Sequence, residues 1–132
     1  MIRIERYTLG ELNSLILFNY FLFFFLIQAT FGQALLNNGA NINALSGAYI
    51  HVNGSVKNDA GSLTIDAAAN VPAEIYITED IVNNSSLIGS GHIRLLGDWY
   101  NNSIFTSATG TVFLQGSDQL ISGTVESNFF NL

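Results

Sequence analysis

One internal repeat constrains this chain more than any other feature. Tyr49 to Asp59 (YIHVNGSVKND), Glu74 to Asn84 (EIYITEDIVNN) and His92 to Asn102 (HIRLLGDWYNN) can be laid in register. In each copy the second and fourth residues are apolar: Ile50 and Val52, Ile75 and Ile77, Ile93 and Leu95. The first and third are polar or aromatic: Tyr49 and His51, Glu74 and Tyr76, His92 and Arg94. Successive side chains of a strand point to opposite faces, so the apolar pair faces inward and the other pair outward. A polar turn follows (Asn53–Gly54, Glu79–Asp80, Gly97–Asp98), then one apolar residue and a closing pair, Asn58–Asp59, Asn83–Asn84 or Asn101–Asn102.

The copies begin 25 and 18 residues apart, and Gly91–Gly110 and Leu95–Leu114 repeat at 19. A period near 20 residues is that of one turn of a β-solenoid. Secondary strands are expected at Ser62 to Ile65 (SLTI) and Thr111 to Leu114 (TVFL). The fold class read from this pattern is all-β: a parallel β-helix or β-solenoid of about four coils, after an N-terminal signal-peptide helix. A single coil has one apolar face and nothing of its own to bury it against. Stacked coils bury Ile50, Val52, Leu63, Ile65, Ile75, Ile77, Ile81, Ile93, Leu95, Val112 and Leu114 together. The recurring Asn positions are placed to form ladders from coil to coil. Tyr49, Tyr76, Trp99, Tyr100 and Phe113 are expected on outer faces or corners. The competing architecture is a β-sandwich with several of those aromatics in its core.

Ahead of the repeats, residues 1–32 read as a secretory signal peptide. Arg3 and Arg6 supply a positive start, and Leu15 to Ile27 is an apolar run of 13 residues broken only by Asn19. A membrane-spanning helix needs roughly 20 apolar residues. Thr30 and Gly32 place cleavage between Gly32 and Gln33, with cleavage after Ala29 and an uncleaved anchor as alternatives. Residues 33–47 (QALLNNGANINALSG) have weak periodicity and read as an irregular lead-in or cap, and 48–132 as the solenoid, truncated at its C-terminal end.

Composition narrows the function. The net charge is −6, and only Lys57 and Arg94 are basic after Arg6. Nucleic-acid binding, which needs clustered cations to displace phosphate counterions, is therefore not expected. Charged residues are only 11% of the chain and cysteine is absent, so repeat stacking has to supply the stability that disulfides give many exported domains.

The second half resembles the repetitive regions of large exported surface proteins of Bacteroidetes. The residues that carry this are Gly97 to Gly123 (GDWYNNSIFTSATGTVFLQGSDQLISG), the ending Asn128 to Leu132 (NFFNL), and the leader's close in Phe31–Gly32–Gln33. The resemblance covers residues 79–132 well and the earlier mature part loosely. It implies a β-solenoid stalk of an adhesin-like protein, exported by the general secretory route and then the type IX system. The C-terminal sorting domain of such proteins does not follow within this sequence.

Candidate chemistry is sparse. His51 and His92 are outward but sit at different places in their strands, so a metal site is not expected. Asp80 and Asp98 are equivalent in the repeat and would stack about 5 Å apart. They read as turn residues accepting backbone N–H groups rather than as a glycosidase pair. A calcium bridge between them would want the glycine-rich nonapeptide of calcium-binding solenoids, which is missing. No catalytic residue, metal ligand or cofactor is assigned. The leading expectation is a non-catalytic, adhesin-like stalk, secreted or at the cell surface. Its expected partners are the secretion machinery, a glycan or cell-surface ligand, the membrane only through the leader, and copies of itself through an uncapped solenoid end. The alternative is a carbohydrate-binding or polysaccharide-processing β-helix with Tyr76, Trp99, Tyr100 and Phe113 contacting sugar rings.

Overall fold

The computed structural model describes residues 33–67 and 71–132, and the expected leader at residues 1–32 lies outside the described residues. Every regular element among the described residues is a strand. In chain order they are β1 (Gln33–Ala44), β2 (Tyr49–Val52), β3 (Ser55–Ile65), β4 (Glu74–Ile77), β5 (Ile81–Asn83) and β6 (Ser86–Gly89). There follow β7 (His92–Leu95), β8 (Trp99–Asn101), β9 (Phe105–Thr106), β10 (Thr111–Leu114) and β11 (Ile121–Ser122).

All the pairings are parallel. A parallel partner cannot be reached by a hairpin, so each strand pairs with its equivalent one coil later. That pattern is a β-solenoid of about four coils, and it excludes the antiparallel sandwich. One sheet runs β10-β7-β4-β2. The other runs β11-β8-β5-β3-β6-β9, with β1 also on β3. The two ends of β3 serve different wings of that sheet: Val56–Asn58 pair with β5, and Ser62–Ile65 pair with β6. The strand therefore turns a corner of the coil. It does so beside Gly61, whose φ of 79° favours glycine and where a Cβ would run into the carbonyl oxygen of Ala40.

The alternation read in the repeats is the alternation of burial. In β4 and β7 the second and fourth residues are buried and the first and third half-exposed. Ile75, Ile77, Ile93 and Leu95 stack between Val52 and Val112 in one continuous core. Ile50 and Leu114 pack against that core but are only partly buried. Each well-buried aliphatic contributes roughly 1.5–3 kcal/mol.

Asparagine forms a second, polar spine inside the coils. Asn37, Asn58, Asn83 and Asn101 are all buried. Asn37 Nδ2 donates to Asn58 Oδ1 at 2.8 Å, Asn58 Nδ2 to Asn83 Oδ1 at 2.9 Å, and Asn83 Nδ2 to Asn101 Oδ1 at 2.9 Å. Each Nδ2 also donates to a backbone carbonyl on the next coil, Ser62, Ser86 and Ile104 respectively, and that of Asn37 is shared with the Ala40 carbonyl on its own coil. Buried amides are tolerable only when so paired.

Two expectations are corrected. Residues 33–47 are not an irregular cap through most of their length, because β1 pairs with β3 from Gln33↔Ser55 to Ala44↔Ile65. Three register shifts interrupt that pairing, which is why no clean alternation shows in the sequence. Thr111 to Leu114 is not a counterpart of Ser62 to Ile65 but the fourth rung of the β2-β4-β7 sheet, pairing with His92 to Leu95. The partner of Ser62 to Ile65 is β6, which the repeat alignment passed over. The segment 66–73 between β3 and β4, against Ser90–Gly91 between β6 and β7, accounts for most of the longer first period.

Candidate functional site

Register brings the outward residues of β2, β4, β7 and β10 into two rows. Tyr49, Glu74, His92 and Thr111 form one; His51, Tyr76, Arg94 and Phe113 form the other. Neighbouring strands lie about 4.8 Å apart, so each row is an evenly spaced line along the solenoid axis.

The side chains interlock. Arg94 Nε donates to Glu74 Oε2 at 3.0 Å, and the two side chains are only 29% and 24% exposed. His92 Nδ1 lies 3.7 Å from the same carboxylate oxygen. The Arg94 guanidinium carbon sits 4.1 Å from the centre of the Phe113 ring, a cation–π arrangement. His92 meets Phe113 edge to face at 5.5 Å, and His51 meets Tyr76 the same way at 5.2 Å. The result is a face with aromatic surface, one ion pair and two imidazoles.

The four aromatics expected to contact sugar do not share one surface. Tyr76 and Phe113 are on this face. Tyr100 is on β8, outward on the other sheet, where its hydroxyl donates to Asp98 Oδ2 at 3.0 Å. That bond to a carboxylate holds the Tyr100 phenol above its ordinary pKa.

Trp99 is not outward at all, which corrects the expectation. It is fully buried, pairs in register with Ile81, and packs edge to face against Phe105 (4.9 Å) and Phe129 (5.2 Å). Its Nε1–H donates to Ser127 Oγ at 2.9 Å, so the one polar atom of the ring is paired inside. The signal was present in the repeat: Trp99 occupies the single apolar position after the turn, held by Val56 and Ile81 in the earlier copies.

The acidic pair behaves as turn residues. Asp80 Oδ1 accepts the Asp98 backbone N–H at 2.8 Å, and Asp98 Oδ1 accepts that of Leu120 at 2.8 Å. His51 and His92 share the outer face, and among the described residues no group of three or more His, Cys, Asp or Glu is gathered to hold a metal ion. What sequence reasoning missed is the Glu74–Arg94 pair. The two lie diagonally across strands of adjacent coils, and only the register links them.

Comparison with known proteins adds no relative: no family model, no curated protein and no solved structure matches the chain.

Proposed function

We propose that the chain is an exported structural segment of an adhesin-like surface protein, a β-solenoid stalk without a catalytic role. The observation that supports this reading best is the unbroken Asn37–Asn58–Asn83–Asn101 spine. The amides point the same way along the axis, and each hands its hydrogens to the next coil. Aligned, fully paired bonds of this kind reinforce one another and resist separation of the coils. A solenoid grows by adding repeats that contact only their neighbours, which suits a spacer carrying load along one direction.

The proposed export route begins with cleavage of residues 1–32 and continues to the cell surface. In the native host, antibodies raised against the folded chain should label intact cells, and intact mass should place the first residue of the exported product at Gln33. Label that appears only after permeabilisation would overturn the surface assignment, and retention of Met1 would overturn the cleaved leader.

A further inference from the structure

We propose that the outer face of the β2-β4-β7-β10 sheet binds a neutral, linear polysaccharide lying along the solenoid axis. The inference concerns the side of the solenoid and does not depend on the stalk reading.

A solenoid needs only its inward rows to fold, so its outward residues are free to vary. On the β3-β6-β9 wing they are mostly small and polar: Ser62, Thr64, Ser86 and Thr106, with Ile88 among them. On the β2-β4-β7-β10 face the corresponding positions hold tyrosines, a phenylalanine, both histidines of the chain, a glutamate and an arginine. The β3-β5-β8-β11 wing presents Lys57, Val82, Tyr100 and Ser122, so large side chains with directional hydrogen-bonding groups are most numerous on the β2-β4-β7-β10 face.

The chemistry of the face selects the ligand. Tyr49 and Tyr76 offer aromatic surface suited to the C–H faces of pyranose rings, and Phe113, half-exposed, adds the part of its ring that the Arg94 guanidinium does not cover. Glu74 keeps a second carboxylate oxygen, and Arg94 keeps guanidinium N–H groups beyond the Nε bond, for hydroxyls. The face has no net charge when the imidazoles are counted neutral, because Glu74 and Arg94 cancel, and it belongs to a chain of net charge −6. A polyanion would meet that negative field with the guanidinium of this face already engaged, so nucleic acid, polyuronate and anionic membrane are disfavoured. A protein partner would want a contiguous apolar patch, and the ion pair interrupts one here. The rows step along the axis at about 4.8 Å per strand, an interval comparable to the repeat of an extended sugar chain.

The test uses the full chain in affinity electrophoresis against soluble neutral glucan, mannan and xylan, with polygalacturonate alongside. Retention by a neutral polysaccharide is expected. It should weaken about tenfold in Tyr76→Ala and in Phe113→Ala, equivalent to about 1.4 kcal/mol each. Tyr100→Ala, on the other sheet, should leave it unchanged, and thermal melts of all three variants should show that they fold. Tyr76→Phe should restore most of the binding lost in Tyr76→Ala. The proposal is overturned by no retention on any neutral polysaccharide, or by equal loss in Tyr100→Ala. It is also overturned by retention on polygalacturonate alone that vanishes near about 1 M salt, where screening is nearly complete. Should Tyr76→Ala and Phe113→Ala fail to fold, competition by free oligosaccharide against the unaltered protein decides the question. Release from the matrix supports binding, and no release overturns it.

Discussion

Asn83 and Asn84 are neighbours in sequence and opposites in energy. Asn83 is 1% exposed and joins the inner spine, accepting from Asn58 and donating to Asn101 and Ile104. Asn84 is exposed and belongs to an outer row, donating to Asp59 at 2.7 Å and accepting from Asn102 at 2.9 Å. Both rows repeat from coil to coil, and both are hydrogen-bonded. The difference is water. On the outside, water replaces any bond that is lost, whereas inside an unmade bond leaves a bare polar atom. The inner row therefore holds the coils in register, and the outer row decorates them.

The sharpest way to break this contrast is to put a carboxylate in each row. Asn83→Asp removes the amide hydrogens and aims an acceptor at Asn101 Oδ1 and the Ile104 carbonyl, at a cost of about 4 kcal/mol near neutral pH. Burial among acceptors raises the folded pKa of the new carboxyl above its unfolded value. The loss is then full above the raised folded pKa and is recovered as pH falls toward the unfolded one. Urea unfolding at several pH values should show stability rising on acidification, whereas Asn84→Asp, which sets a carboxylate beside Asp59 on the exposed face, should show only a small gain because water screens the pair.

Asn83→Ala is expected to cost about 3 kcal/mol in the same assay, because Asn101 Oδ1 is left buried without its donor. A loss as small as that of an exposed residue would mean that the spine does not hold the coils. Asn84→Ala should cost less than about 1 kcal/mol.

The smallest effect is a titration. The Asn84 amide, and after it Lys57 at 2.9 Å, hold the Asp59 carboxyl below its ordinary pKa. The folded value lies below the unfolded one, so the stabilisation is present above the unfolded pKa and fades as pH falls through the folded value. In Asn84→Ala the Asp59 carboxyl, followed by NMR, should titrate at higher pH than in the unaltered protein. An unchanged titration would show that the outer row contributes nothing even locally.

The legibility of the fold differed between elements for physical reasons. β4 and β7 are covered on both edges by equivalent strands and have one wet face, so their alternation is clean and their inward residues could be named from sequence. β1 pairs only with β3 among the described residues and does so with three register shifts, so its pattern is blurred. β6 (SLIG) carries a single large buried residue, Leu87, and offered little signal by itself. Trp99 was misplaced because an indole at a turn reads as a surface ring when its residue type is weighed before its place in the repeat.

The candidate face divides in the same way. That Tyr76, His51, His92 and Phe113 point outward follows from strand parity alone. Their meeting does not, because His92 and Phe113 touch only after the chain has gone once around the coil. Period, parity and the recurrence of asparagine were thus determined by the sequence, since each is a local property of the chain. The bonding of each inward asparagine to its counterpart on the next coil, the packing of Trp99 against Phe105 and Phe129, and the pairing of Glu74 with Arg94 were decided by the tertiary structure. Those outcomes depend on which residues the coil brings opposite one another, and the lengths of the corner segments set that.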